Sequence, residues 1–313
     1  MTCAATPILL SDIALDVPVV DGIRRLNPPT GERETRRQAP LRPILPRLKA
    51  SSALRNTRQA FQIVRERLLL EEFVHTASGR TIKYQFTAAE EKNAPLLVIF
   101  HGHMLNPRPS KFRHPGWNVL CPVDSFGVNG AGSWFLGENG DFFWLDVIPE
   151  LISQVYDGEE IYFCGSSMGG YAAILHGSRM QGVAVYANIA QTWLLGSTYS
   201  ERGMKKFFSP IFGDNEPGSF NDLANVLERD GKTSYIISGL RWDKPKYLEE
   251  QTFRFINHLL ENKLNFSVDL RFGEGHDLTH TMPEIADLFI KNRRALRLPV
   301  APNDQDVPKR DQA

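Results

Sequence analysis

From about residue 66 onward, the hydrophobic and polar residues follow two kinds of pattern in turn, one typical of strands and one typical of helices. Short apolar runs of strand length are separated by longer amphipathic stretches of helical period, after an opening hairpin at 73–88. The continuous run PLLVIF (95–100) is typical of a strand that is covered on both faces. Strands that alternate with helices predict an α/β fold, in which a mostly parallel sheet carries helices on both faces.

The remaining segments are assigned from the same periods and from the turn residues between them. Further strands are predicted at 117–127, 159–165, 182–189, 233–240 and 265–276. Helices are predicted at 142–155, 167–180, 219–232, 244–264 and 282–298. The helix at 219–232 opens with a Ser or Asn cap and closes on Gly231, and the helix at 244–264 carries Pro245 in its first turn.

The first 65 residues differ in composition from the rest of the chain. Between residues 24 and 67, twelve Lys or Arg residues stand against three acids, a local excess of +9, and five prolines lie between Pro28 and Pro46. Proline opposes regular structure, and dense positive charge repels itself. We therefore predict an irregular basic arm at 1–65, an α/β domain at 66–298 and a polar tail at 299–313. The arm is either a solvated extension or a contact for an acidic partner or membrane surface.

The overall composition excludes several classes of protein. Lys plus Arg is 36 and Asp plus Glu is 36, so the net charge is 0, which argues against a nucleic-acid-binding protein. No apolar run approaches the ~20 residues of a membrane span, and the first residues do not resemble a secretory signal. Three widely spaced cysteines form neither a disulfide framework nor a zinc pattern. These features predict a cytoplasmic globular protein without an integral membrane segment.

The strongest chemical signal is the string GSSMG (165–169), which fits G-x-S-x-G with Ser167 at its centre. An apolar strand runs directly into this string and the small-residue helix GGYAAIL runs out of it. Strand–turn–helix is the setting of a nucleophile elbow, in which glycines make room for a strained turn that lifts the serine above the sheet. Ser167 is therefore the predicted nucleophile, with a phosphate-binding or purely structural turn as the alternative.

A serine hydroxyl is a weak nucleophile near neutral pH, so a base and an orienting acid are expected at the ends of later strands. His276 ends a predicted strand in a glycine-rich exit and is the predicted base, with His280 as its rival. Asp243 follows the strand at 233–240 and is the predicted acid. The alternative for Asp243 is that it only caps the next helix.

The oxyanion of an acyl-transfer reaction needs two preorganised donors. One predicted donor is the backbone N–H of Met168, directly after the nucleophile. The other is the N–H of His103 in the loop after PLLVIF, with Met104 as second choice, because Gly102 lets the backbone approach closely. His101 and His103 also suggest a metal site, but no third ligand with suitable spacing appears. Neither a metal nor a cofactor is therefore predicted.

At this point the chain resembles the α/β-hydrolase superfamily. The matching pieces are PLLVIFHGH, IYFCGSSMGGYAA, the strand end at Asp243 and GEGHD, in the order of that superfamily. The resemblance implies an eight-stranded-type sheet with catalytic residues on strand ends, and serine esterase, thioesterase, peptidase or acyltransferase chemistry. The elbow followed by AN and Gln191 is also similar to hydrolase-like proteins that accompany bacterial surface-polysaccharide synthesis.

These observations predict a serine hydrolase that cleaves an ester, thioester or amide of a small-molecule acyl substrate through an acyl-enzyme on Ser167. The alternatives are an acyltransferase, which shares that intermediate, and a non-catalytic accessory protein of the same fold. Substrate choice is expected from a cap insertion at about 190–231, with a possible wall from the stretch at 130–145. The large apolar residues of this cap either line an acyl pocket or simply pack the cap: Trp193, Leu194, Leu195, Phe207, Phe208 and Phe212.

Overall fold

The computed structural model describes residues 70–227 and 232–296. The strands are Glu71–His75 (β1), Arg80–Thr87 (β2), Leu96–Phe100 (β3), Asn118–Val123 (β4), Ile161–Ser166 (β5), Ala184–Asn188 (β6), Ser234–Trp242 (β7) and Phe266–Glu274 (β8). The α-helices are Trp144–Val155 (α1), Met168–Arg179 (α2), Lys205–Phe212 (α3), Arg254–Glu261 (α4) and Met282–Leu296 (α5). The predicted arm at 1–65 and tail at 299–313 lie outside the described residues.

The eight strands form one sheet in the order β1-β2-β4-β3-β5-β6-β7-β8. β2 pairs with β1 and with β4 in the antiparallel direction. Every other neighbouring pair is parallel. The sheet is therefore the mostly parallel one that the alternation of strands and helices predicts.

Residues that alternate along β3 enter two different cores. Leu96, Val98 and Phe100 lie in one buried cluster with residues of α1 and α2. Leu97 and Ile99 lie in a second buried cluster with residues of α5. Because alternate side chains of a strand point to opposite faces, helices cover the sheet on both faces. A strand enclosed in this way buries every side chain, which explains the unbroken apolar run of β3.

The predicted helix at 219–232 is wrong over the described residues up to 227, where two short 3-10 turns replace it. The backbone of this segment pairs with the chain at 192–194: Leu194 N–H donates to Asn221 O at 2.9 Å, and Leu223 N–H donates to Thr192 O at 2.9 Å. Backbone N–H and C=O groups that would bond to each other within a continuous helix are thus bonded to the segment at 192–194 instead.

The predicted helix at 244–264 begins later than the sequence suggests. A turn at 244–247 comes first, and Lys246 has a φ of 61°, in the left-handed region that no α-helix uses. A wide helical turn at Leu248–Phe253 then leads into α4. None of the helices within 70–227 and 232–296 is long and apolar enough to cross a membrane.

The carboxyl ends of the parallel strands lie at one edge of the sheet, as they do in open α/β sheets generally. Ser167 directly follows β5, Asp243 follows β7, and His276 comes two residues after the end of β8. The fold therefore brings three distant stretches of the chain to the same edge.

Candidate active site

Ser167 occupies a sharp turn between β5 and α2. Its backbone has φ 57° and ψ −116°, a conformation that is rare and strained for a residue with a Cβ atom. Its N–H donates to Asn188 O of the neighbouring strand at 2.9 Å, which holds the turn in place. A Cβ at Gly165 would clash with the Gly169 backbone, and a Cβ at Gly169 would clash with the Phe100 carbonyl oxygen. The glycines of GSSMG are thus required by close backbone approach.

The structure brings Ser167, His276 and Asp243 together in one chain of hydrogen bonds. The Ser167 Oγ lies 2.9 Å from His276 Nε2. The Nδ1 of His276 lies 3.0 Å and 3.1 Å from the two carboxylate oxygens of Asp243. The Asp243 side chain is 1% exposed and that of His276 19%, so the carboxylate is shielded from water while the imidazole borders it. Asp243 does not cap α4, because a turn and a wide helical turn lie between them.

Two tyrosines confine the His276 ring. Tyr247 meets the imidazole edge-on, with ring centroids 5.1 Å apart, and Tyr199 stacks on it at 6.2 Å. Burial raises the pKa of Tyr247, whose hydroxyl donates to Ile189 O at 2.7 Å. The imidazole plane is therefore fixed by packing as well as by Asp243.

His280, the rival base, has hydrogen-bond partners other than Ser167. Its Nδ1 lies 2.7 Å from the Tyr186 hydroxyl, and its Nε2 lies 2.5 Å from an Arg271 nitrogen and 3.3 Å from Asp269. Burial and the neighbouring Arg271 lower the pKa of His280. His276, not His280, is thus the histidine within reach of Ser167.

The two predicted oxyanion donors belong to different loops, one directly after Ser167 and one after β3. Met168 is the first residue of α2, so its N–H has no acceptor within the helix. The N–H of Met104, the second choice in the other loop, already donates to Ala131 O at 3.2 Å. Of the two choices in this loop, Met104 is therefore already engaged, and His103 remains the predicted donor.

His101 fixes the peptide that carries the His103 N–H. Its Nδ1 donates to Gly102 O at 2.9 Å, and its Nε2 accepts the Asp124 N–H at 2.9 Å. Burial lowers the pKa of His101, as suits a neutral ring with one donor and one acceptor nitrogen. Both nitrogens are therefore occupied by the backbone. Across the described part of the chain, no group of three or more His, Cys, Asp or Glu residues is arranged to hold a metal ion.

The His103 side chain forms part of an aromatic wall beside the elbow. It stacks on Trp134 with ring centroids 5.3 Å apart and meets the edge of Phe207 at 4.5 Å. Burial lowers the pKa of His103, whose buried Nε2 has no hydrogen-bond partner among the described residues. Three of the six predicted cap residues pack the core instead: Leu194, Phe208 and Phe212 are fully buried. Phe207, by contrast, contacts the side chain of a predicted site residue, as Tyr199 of the same segment does at His276.

Gln191 is a polar side chain at the nucleophile to which sequence reasoning gave no role. Its Nε2 lies 3.0 Å from Ser167 Oγ, and its Oε1 lies 2.5 Å from the indole nitrogen of Trp134. It follows the end of β6 by three residues, at the edge where the site lies. The orienting acid of a catalytic serine is expected to be a carboxylate, so an amide at this strand end gives no such signal.

Asn188, the last residue of β6, connects the two halves of the site. Its Nδ2 donates to Ser166 Oγ at 2.9 Å and to Asp277 O at 3.3 Å. Its Oδ1 accepts the Thr279 hydroxyl at 2.8 Å. This buried side chain therefore joins the residue before Ser167 to the loop that carries His276.

Comparison with known proteins identifies the fold. The sequence matches no protein-family model and no curated protein. Among solved structures, S-formylglutathione hydrolase from Agrobacterium tumefaciens aligns with a TM-score of 0.55 and 13% identity over 74% of this chain and 94% of its own. The capsule O-acetyltransferase of Neisseria meningitidis serogroup A aligns with a TM-score of 0.54 and 18% identity over 73% of this chain and 95% of its own.

The Glycosylation Associate Protein (Gap123) complex from Streptococcus agalactiae also aligns, with a TM-score of 0.52 and 15% identity. That alignment spans 73% of this chain and 46% of the other. Similarity at such low identity shows the fold alone. The chain has the α/β-hydrolase fold, and the predicted fold class is confirmed.

Proposed function

We propose that this protein is a serine-dependent acyl-transfer enzyme that forms an acyl-enzyme on Ser167. The observation that supports this most strongly is the hydrogen-bond chain from Asp243 through His276 to Ser167. It ends on a serine held in a strained strand–turn–helix conformation, which is the geometry that activates a hydroxyl for attack. The same arrangement argues against the accessory-protein alternative, because the serine, the base and the acid are all present and within hydrogen-bond distance of one another.

In the proposed first step, Ser167 Oγ attacks the carbonyl carbon of an ester, thioester or amide while His276 Nε2 takes its proton. Asp243 holds the imidazole in the tautomer with its proton on Nδ1 and stabilises the imidazolium. The N–H groups of Met168 and His103 donate to the oxyanion. The proton on His276 then passes to the leaving group, and the acyl group stays on Ser167.

In the second step, an acceptor O–H attacks the acyl-enzyme with His276 as base. Water as acceptor gives a hydrolase, which is the first candidate. A saccharide hydroxyl gives an O-acyltransferase, which is the second. The fold match along 95% of a capsule O-acetyltransferase supports this second candidate, as does the similarity of the elbow to proteins of surface-polysaccharide synthesis.

The test is labelling of the full chain with a fluorophosphonate probe, beside Ser167→Ala and the matched control Ser166→Ala. Ser166 precedes the nucleophile and accepts a hydrogen bond from Asn188, so its variant perturbs the same turn without removing the predicted nucleophile. Labelling of the wild type and of Ser166→Ala, with loss in Ser167→Ala, supports the proposal. Labelling that persists in Ser167→Ala would refute the assignment of Ser167 as the nucleophile. A folded wild type that never reacts with the probe would refute the proposal that the protein is a serine-dependent enzyme.

Turnover of p-nitrophenyl esters of increasing chain length then separates the two candidates. Release of free acid in buffer alone supports the hydrolase. Ester turnover that accelerates on addition of a saccharide, with the acyl group recovered on a hydroxyl by mass spectrometry, supports the transferase. In either case, a preference for one ester chain length indicates the length of acyl group that the pocket accepts.

A further inference from the structure

Gln191 is held against the nucleophile by contacts on several sides. Its side chain amide nitrogen lies 3.0 Å from Ser167 Oγ and 3.4 Å from the Tyr199 hydroxyl. Its backbone N–H donates to Ser167 O at 3.4 Å. The residue is 1% exposed, so water does not compete for these contacts. The amide therefore has a fixed position at the atom that would carry the acyl group.

The orientation of this amide follows from the chemistry of its other partner. The oxygen and nitrogen of a glutamine amide have nearly the same shape, but the indole N–H of Trp134 is a donor only. The atom 2.5 Å from that indole nitrogen must therefore be the oxygen, Oε1. The nitrogen must then face Ser167, and a flip of the amide would leave the indole N–H without an acceptor in a buried place.

These contacts leave one assignment for the donors and acceptors around Ser167 Oγ. The hydroxyl has one proton, which points to His276 Nε2, and two acceptor lone pairs. One N–H of Gln191 occupies one lone pair, and the other lone pair remains for attack on a carbonyl carbon. The Met168 and His103 N–H groups are the predicted donors to the carbonyl oxygen, whereas the Gln191 side chain contacts the serine oxygen itself.

We propose that Gln191 is a catalytic residue whose side chain N–H stabilises negative charge on Ser167 Oγ, above all when the acyl-enzyme breaks down. This inference rests on the proposed function. In that step the acceptor oxygen bonds to the carbonyl carbon, and its proton goes to His276 Nε2. The bond from carbon to Ser167 Oγ then breaks, the electron pair returns to Oγ, and His276 gives it the proton. By donating to Ser167 Oγ, the Gln191 N–H stabilises the negative charge that develops on this oxygen as it leaves the acyl carbon.

The decisive variant is Gln191→Glu, which has nearly the same shape and, in its ionised form, no donor. One carboxylate oxygen still accepts the Trp134 indole N–H, and the other faces Ser167 Oγ with a lone pair in place of a proton. We expect the acylation burst with a p-nitrophenyl ester to persist and the steady-state rate to fall about 10²–10³-fold, the usual effect of losing one preorganised donor. The acyl-enzyme should then accumulate and be visible by intact-protein mass spectrometry.

A second readout separates this role from a merely structural one. A carboxylate beside the imidazole favours its charged form, so the acid limb of the pH–rate profile should move to higher pH in Gln191→Glu. The neutral variant Gln191→Asn should slow deacylation without moving that limb, because its shorter amide withdraws from Oγ. Gln85→Glu, in β2 at the far side of the sheet, is the matched control and should behave as the wild type.

The outcomes distinguish this inference from the proposed function. If the wild type labels and turns over but Gln191→Glu and Gln191→Asn both keep its steady-state rate, the role of Gln191 is wrong and the function stands. If the burst amplitude falls in parallel with the steady-state rate in both variants, the side chain only supports the fold of the turn, and the inference is also wrong. If the wild type itself never forms an acyl-enzyme, the proposed function fails first.

Discussion

Acid should destabilise this protein through His176, a buried histidine of helix α2. Its ring is fully enclosed, and its Nε2 donates to the Phe135 carbonyl at 2.8 Å. Burial lowers the pKa of His176 from 6.5 to about 4, because a charged imidazole at this place would lose its hydration. The folded protein therefore keeps His176 neutral at pH values where the unfolded chain binds a proton.

The sign and size of the effect follow from these two pKa values. Between pH 6.5 and about 4 the unfolded state binds more protons than the folded state, so the free energy of unfolding falls as the pH falls. One pKa unit corresponds to about 1.4 kcal/mol. The stabilisation present above pH 6.5 is therefore reduced by about 2 kcal/mol at pH 5 and by about 3 kcal/mol at pH 4.

Urea unfolding of the wild type and of His176→Gln, measured from pH 7 to pH 4, tests this reasoning. The glutamine amide can still donate to the same carbonyl but does not titrate. We expect the variant to be less stable at pH 7, because it loses the ring's contact with Phe100 at 5.6 Å. Its stability should then fall about 3 kcal/mol less than that of the wild type by pH 4.

Burial also lowers the pKa of three other histidines, His101, His103 and His280. The stability of His176→Gln should therefore still fall somewhat as the pH is lowered. Parallel stability curves for the two proteins would refute the reasoning. A direct check is the titration of the His176 ring protons by NMR, where a midpoint near pH 6.5 would contradict the buried neutral state.

Three further changes probe the site. Asn188→Ala should lower kcat about tenfold to hundredfold at nearly unchanged KM, because the loop that carries His276 loses its hydrogen-bonded connection to the turn at Ser167. An unchanged kcat would contradict this. Gly169→Ala should lower the free energy of unfolding by about 1–3 kcal/mol, since its Cβ meets backbone oxygens. Gly239→Ala, whose Cβ would lie an ordinary 3.5 Å from its neighbour, is the control, and equal losses in urea unfolding would contradict the clash. Asp243→Asn should slow fluorophosphonate labelling by up to about 10⁴-fold through the wrong imidazole tautomer, and wild-type labelling would argue against its role.

The placement of Ser167, Asp243 and His276 could be predicted from sequence because each follows a strand directly or within two residues. The carboxyl ends of parallel strands share one edge, so a local signal is enough to bring the three side chains near one another. Gln191 was beyond such reasoning, because its orientation depends on Trp134, 57 residues away in a loop. No local pattern encodes that pairing.

The failure at 219–232 has the same physical origin. A cap residue, a helical spacing and a terminal glycine are local signals, and they were all present. The observed turns form because this segment shares backbone hydrogen bonds with 192–194, and the side chain of Asn221 donates to Leu195 O at 3.0 Å and accepts its N–H at 2.7 Å. Tertiary pairing thus overrides local preference in the cap, where no regular strand fixes the neighbours.

The separation of Ser167 from His276 by 109 positions has a consequence for how the molecule reaches its native state. The unit β5–turn–α2 is made of neighbouring residues, whereas β6 and β7 separate β8 from β5 in the sheet, so we expect β8 to join last. Closing so long a loop is opposed by chain entropy until those pairings exist. During refolding, reactivity of Ser167 should therefore lag behind the secondary-structure signal and report the docking of the last strand.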